Sequence, residues 1–274
     1  MDLTLCRQRG NNSGPVSYTT GESMKLKLMT FLGIILFTGS QHLAQAALSV
    51  ERSRVIFNEG EKSVGLSLKN NNTQDPYLAQ GWMENEKEEK INGPLMILPP
   101  VQRIEPDGRT MIRVQQVAET PSLPTDRESV FWLNLREIPP KSDKPNVLTL
   151  AMQTRMKVFW RPKALKVDPL LDVVPGAETL TLTRKGDRYE VENPTPYHFS
   201  FVEARGSLHG KALDDFEPVM ISPKGKAQLP LSASRMGTTP TLMFINDYGS
   251  ARLLPFTCTG IACRAGKVAQ PKEG

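Results

Sequence analysis

The side chains of this 274-residue chain with the most to offer chemically are three cysteines and three histidines. Cys258 and Cys263 enclose Thr-Gly-Ile-Ala. That interval is longer than the two residues of a dithiol redox centre, so thioredoxin-like exchange is not supported. His198 and His209 stand at no ligand spacing that would build a zinc site. No Gly-x-Ser-x-Gly elbow occurs, and neither histidine has a hydrolase triad around it. His198 follows a Pro-Tyr turn and reads as a packed or solvated side chain. The residues therefore define no catalytic set, no metal site and no cofactor, and they point to a binding protein rather than an enzyme.

The formal net charge is +5, with Lys and Arg spread along the chain and no dense basic block. Such a surface is a solvated one, and no nucleic-acid partner is expected. The cysteines take their meaning from the start of the chain. From Met24 it reads MKLKLMTFLGIILFTGSQHLAQA. Lys25 and Lys27 form a positive segment, 29–37 is apolar but too short to span a bilayer, and Ala44-Gln45-Ala46 is a small-residue cleavage motif. Residues 24–46 thus read as a signal peptide cut between Ala46 and Ala47. Residues 1–23 are a polar upstream extension with no apolar period, and no part of the mature chain is expected to insert in a membrane. Export puts Cys258 and Cys263 in an oxidising compartment, where an even pair reads as a disulfide; two free buried thiols are the alternative.

The elements that would position any site are short strands. Apolar alternation marks 50–57, 63–69, 77–83, 96–98, 110–116, 129–137 and 147–160, with turn residues between them such as Asn70-Asn71-Asn72 and Pro106-Asp107-Gly108. A break at RPKALKVDP, with two prolines, suits an inter-domain connection. A second series follows at 179–183, 188–192, 199–205, 219–222, 226–229, 241–245 and 251–258. The expected organisation is an all-β protein of two sandwiches, 47–162 and 169–263, joined by a linker at 163–168 and followed by a frayed polar tail at 264–274.

The run 147–160 is long for a strand: at about 3.3 Å per residue it would extend roughly 46 Å. One parity carries Leu148, Leu150, Met152, Thr154, Met156, Val158 and Trp160, the other Gln153, Arg155 and Lys157. Either the apolar parity faces the core throughout, or part of it lies at a sheet edge and serves a partner strand, because an unused apolar edge invites aggregation.

The stretches SVERSRVIF, NNNTQDPYLAQGW, ILPPVQRIEP, FWLNLREIPP, RMKVFWRP, ENPTPYHFSF and FINDYG, in order across 47–263, resemble the PapD-like periplasmic pilus chaperones. The resemblance implies two immunoglobulin-like domains in an L-shaped arrangement. It implies a chaperone that binds pilus subunits by lending them a strand and delivers them to an outer-membrane usher. It places the cations that hold a subunit's terminal carboxylate at Arg54 and Lys157, and the donor-strand apolar row at Leu148, Leu150 and Met152. Lys157 has the opposite parity from that row, so strand twist or a bulge is expected. The resemblance further assigns Glu128, Arg161 and Asp247 to an inter-domain ionic network, and Cys258 and Cys263 match a pair found in part of the family. An exported fibre subunit or adhesin of similar fold is the alternative; it would be one sandwich preceded by an alternating extension, whereas strand pattern here begins almost at Ala47.

The leader reading predicts that the exported species begins at Ala47. Intact mass and N-terminal sequencing of protein from the periplasm check it, and a product retaining residues before Met24 would contradict it.

Overall fold

The computed structural model describes residues 46–117, 123–141 and 150–271. The expected upstream segment, the leader up to Gln45, and Leu148 lie outside the described residues.

The first sandwich packs two sheets. One contains β1 (Leu48–Val50), β3 (Ser63–Asn70), β8 (Arg109–Gln116) and β6 (Leu95–Leu98), in the order β1-β3-β8-β6. The other has the order β2-β10-β9-β4-β5, from β2 (Arg54–Asn58), β10 (Gln153–Arg161), β9 (Ser129–Ile138), β4 (Tyr77–Glu84) and β5 (Lys90–Ile91). A further short strand, β7 (Val101–Ile104), pairs with β4. The alternating side chains interdigitate: Leu66, Leu68, Ile112 and Val114 from one sheet meet Val55, Phe57, Met83, Leu133 and Val158 from the other. The rings of Phe57 and Trp160 stack 5.4 Å apart within this core.

The single strand expected at 50–57 is in fact two. Val50 belongs to β1 and pairs with Leu68, whereas Val55 and Phe57 belong to β2 and pair with β10. The parity of the apolar residues changes between Val50 and Val55, and one straight strand would put them on opposite faces. The exposed residues Glu51, Arg52 and Ser53 carry the chain from one sheet to the other. The long run 147–160 is likewise shorter as a strand, since pairing begins at Gln153.

The second sandwich comprises β11 (Thr181–Lys185), β12 (Arg188–Asn193), β13 (Phe199–Arg205), β14 (Val219–Ile221), β15 (Gly225–Ser232), β16 (Thr241–Ile245), β17 (Ala251–Thr259) and β18 (Ala262–Ala265). Its strands connect in the order β14-β13-β16-β17-β18-β11-β12-β15. β17 serves both layers: Ala251 to Pro255 pair with β16, and Phe256 to Thr259 pair with β18. Pro255, which has no N–H to give a ladder, stands where the strand changes partner. Phe199, Phe201, Phe244 and Phe256 fill the centre, with Phe199 and Phe244 edge to face at 5.4 Å.

The tail expected to fray from Arg264 is ordered as far as the described residues run. Arg264 pairs with Thr181, and Ala269 exchanges two backbone hydrogen bonds of 2.8 Å with Leu253. Its polar composition misleads because β18 is paired on both sides, by β17 and β11, while Cys263 and Val268 pack against the core.

Cys258 and Cys263 are directly opposite one another in the β17–β18 hairpin and are disulfide-bonded. So short a loop restrains the unfolded chain weakly, by about 2 kcal/mol. Thiol labelling of denatured, unreduced periplasmic protein is expected to find no free cysteine, and Cys258→Ser with Cys263→Ser should lower stability by about that amount while leaving the fold intact.

Candidate functional site

The site is organised by the start of β2. This strand runs parallel to β10, with Arg54 beside Lys157 and Asn58 beside Arg161. On its other side β10 pairs with β9 over the whole of Gln153 to Trp160. Because β2 begins only at Arg54, residues 153–156 of β10 have β9 on one edge and no strand on the other among the described residues. That open edge leads out of the sandwich along Met152 and Leu150, which are 49% and 65% exposed. The apolar parity that is buried at Met156, Val158 and Trp160 therefore emerges into solvent towards the start of the strand. The apolar parity therefore does not face the core throughout: it is buried from Met156 onward and exposed at Leu150 and Met152.

The opposite parity faces the second sandwich. The Lys157 ammonium donates to Ser200 Oγ at 2.9 Å, Phe159 lies 5.2 Å from the His198 ring, and Arg161 reaches Asp247. Arg54 Nη1 donates to the Ile245 carbonyl at 2.8 Å, and its Nε is buried without a partner. Among the described residues neither Arg54 nor Lys157 forms an ion pair. Burial lowers the Lys157 pKa to about 8, with the charge of Arg54 adding to the effect. Burial also lowers that of Arg54, with Asp247 and Glu128 opposing it at a distance. Two half-buried, mutually repelling cations without an ion pair are an arrangement that an anion would neutralise. No bulge interrupts β10 from Gln153 to Trp160.

Next to this site the two sandwiches are joined by ions. Glu128 accepts from Arg161 Nε at 2.9 Å and Nη2 at 2.7 Å, and from the His198 backbone N–H at 2.8 Å. His198 Nδ1 lies 3.1 Å from the same carboxylate. Arg161 also grips Asp247 with two hydrogen bonds of 2.6 and 3.1 Å. The sequence presents these partners through two turns. In ENPTPYHFSF, Asn193 donates to the carbonyls of Tyr197 and Ser222, which sets the turn before His198. In FINDYG, Gly249 takes φ +84°, and a Cβ there would approach Ser53 Oγ to 2.7 Å. His198 is the member that sequence reading missed, because a lone histidine after Pro-Tyr carries no mark of its partner 70 residues away.

Two immunoglobulin-like sandwiches are joined by buried ions, and beside that joint an open strand edge ends at two cations that form no ion pair among the described residues. Residues 47–166 match the family profile described as pili and flagellar-assembly chaperone, PapD N-terminal domain, and residues 175–254 match pili assembly chaperone PapD, C-terminal domain. The chain is 43% identical over 242 residues to the probable fimbrial chaperone YfcS of Escherichia coli strain K12, covering 88% of this chain and 94% of that protein. It is also 43% identical over 241 residues to the chaperone protein PapD of Escherichia coli, covering 88% and 97%. Among solved structures it is similar to the CupB2 chaperone of Pseudomonas aeruginosa, with a TM-score of 0.63 and 28% identity over 77% of this chain and all of that one. The chain belongs to the PapD family of periplasmic pilus-assembly chaperones. These matches favour the chaperone over the fibre subunit or adhesin. Among the described residues no helix is long and apolar enough to cross a membrane.

Burial opposes ionisation of Glu128, but the hydrogen bond from His198 and the charge of Arg161 outweigh it and hold the carboxyl below its usual range. A depressed carboxyl contributes stability that is present above its unfolded value, near 4.5, and is lost as pH falls through the folded value. Melting temperature should therefore drop on acidification below about pH 4.5, with a shallower slope in Glu128→Gln. Arg161→Met leaves two carboxylates unmatched, one of them buried, and should cost about 3–5 kcal/mol in urea denaturation.

Proposed function

We propose that this chaperone captures pilus subunits by adding a subunit strand to the open edge of β10, holds the strand's terminal carboxylate between Arg54 and Lys157, and passes the subunit to an outer-membrane usher. The observation that carries this reading is the coincidence of two features at one point. The unpaired edge of β10 ends where β2 starts, and the two acid-free cations stand at that end. A guest strand in line with β2 and parallel to β10 would arrive with its C-terminus against Arg54. Main-chain ladder bonds would supply affinity, and the charge-assisted contacts would set register.

The opposed parities of anchor and donor row fit this arrangement without distortion. A carboxylate at the end of a guest strand lies in the plane of the sheet, so Lys157 can reach it from the outer face while Leu150 and Met152, preceded by Leu148, offer their side chains on the inner one. Glu128, Arg161 and Asp247 would hold the second sandwich at the angle that keeps Ser200 and Ile245 against the cations. The chain acts by binding alone, without catalysis or cofactor. It reaches the periplasm through the leader 24–46, removed before Ala47. Domain limits near 162 and 169, with the linker between, accord with the end of β10 at Arg161 and with the short 3-10 turn Lys163–Leu165.

Arg54→Ala and Lys157→Ala should each lower subunit affinity by a factor of about 30 or more with little change in the melting curve, because a charge-assisted partner at a buried contact is worth about 2–5 kcal/mol. Leu150→Glu should fail by a different route, placing a charge in an apolar groove while the anchor remains. Co-purification with a subunit from the periplasm, beside circular dichroism of each variant, separates these outcomes; folded alanine variants that still capture subunit at wild-type levels would refute the anchor. A pH dependence follows from Lys157. Its free ammonium loses its proton near pH 8, and a bound carboxylate raises that value, so capture takes up a proton in alkaline solution. Affinity should be flat below about pH 7.5 and weaken by up to about tenfold per unit above pH 8.

A further inference from the structure

Lys157 belongs to a row that crosses the whole sheet. Glu84 on β4 is opposite Trp132 on β9, Trp132 is opposite Lys157 on β10, and Lys157 is beside Arg54 on β2. All four lie on the outer face, since their neighbours Met83, Leu133, Val158 and Val55 point into the core. Strands two apart are separated by about 10 Å, within the joint reach of an extended lysine and glutamate. A pair between Glu84 and Lys157 is therefore the default for this face, and it is not made. Trp132 holds the register position between them. Its ring centroid is 5.7 Å from Lys157 Nζ, and the Arg155 guanidinium lies 4.0 Å over the same ring. Glu84 is turned to other partners: it accepts from Trp82 Nε1 at 2.8 Å and lies 3.5 Å from Arg155 Nε. Arg155 is itself drawn away from the anchor by Glu88 at 2.8 Å.

We propose that Trp132 is a positioning residue for subunit capture: its indole insulates the Lys157 ammonium from Glu84 and so keeps that cation uncommitted until a carboxylate arrives. A salt bridge made in advance would have to be broken on binding, and its energy would be subtracted from the capture step. An aromatic ring fills the gap without supplying a competing anion, and its face is favourable to a cation. The groups that face Lys157 are then Arg54 from β2, Ser200 Oγ from β13 and the ring itself from β9, while Arg155 on its own strand is paired with Glu84 and Glu88. The inference rests on the carboxylate anchor proposed above and adds to it a reason for the aromatic beside the anchor.

The test reads the amine of Lys157 directly in the full-length exported chaperone, by NMR of lysine labelled at the ε carbon, with the Lys157→Ala spectrum giving the assignment. Trp132→Leu should raise the titration midpoint of Lys157 by about one unit or more, as Glu84 comes within reach. Adding Glu84→Gln to that variant should bring the midpoint back towards the wild-type value, and Trp132→Phe should leave it unmoved. Binding of a synthetic alternating Val/Thr peptide with a free C-terminal carboxylate, measured against its C-terminal amide, should weaken about tenfold in Trp132→Leu and recover in the double variant. Should Trp132→Leu not fold, Glu84→Gln in the otherwise wild-type chain decides: insulation requires the midpoint to stay where it is, and a clear fall overturns the proposal. An unshifted midpoint in folded Trp132→Leu, or a shift that Glu84→Gln does not reverse, overturns it as well. Failure of the anchor itself has a different signature, since Lys157→Ala would then leave peptide binding unchanged whatever happens at Trp132.

Discussion

The point at which β2 begins governs the rest of the molecule. A strand starting four residues earlier, at Val50, would close the edge of β10 and leave an ordinary sandwich. Starting at Arg54, it leaves four backbone positions of β10 without a strand on one side among the described residues. The sheet change at Glu51, Arg52 and Ser53 enforces that start, because β1 is committed to β3 in the other sheet. An open apolar edge is a hazard to any soluble protein. This one is short among the described residues, and at its end two cations that repel one another sit without an acid.

Holding two like charges half-buried side by side is unfavourable, and the second sandwich supplies what the first lacks. Ser200 Oγ and the Ile245 carbonyl accept from Lys157 and Arg54 without neutralising them. The acids of the interface are spent elsewhere: Glu128 on Arg161 and His198, Asp247 on Arg161. Arg161 lies on the same face of β10 as Lys157, four residues along, so one strand carries both the joint between domains and the cation left free. Glu128 and Asp247 are thus engaged with Arg161, and among the described residues Arg54 and Lys157 form no ion pair.

Much of this was legible in the residues. Alternation located most strands, and the switch of parity between Val50 and Val55 was present in the sequence as the sign of a strand that changes sheets, although simple apolar counting ran across it. The tail was misjudged because the rule that polar ends fray takes no account of pairing, and Cys263 draws β18 into the core. The anchor and the ionic network came from resemblance, since nothing in the local pattern sets Arg54 apart from Arg52 or Lys157 from Arg155. What distinguishes them is three-dimensional: Arg54 is half-buried against the Ile245 carbonyl where Arg52 is exposed, and Arg155 has two acids within reach that Lys157 lacks. His198 and Trp132 were invisible for the same reason, since their roles depend on partners that meet only through sheet register.

The collinearity of β2 with the open edge has a further consequence for what can be accepted. If a guest strand occupies that edge, the first residue of β2 is a buffer at the end of its track. A segment from the middle of a polypeptide would need to continue through space that β2 already fills, and could enter only by bending sharply out of the sheet. A finished chain end has no such continuation. Selection for completed polypeptides, over nascent or internal apolar segments of equal stickiness, is thus imposed by excluded volume before any charge is felt, and the cations need only confirm a terminus that the shape of the sheet has already demanded.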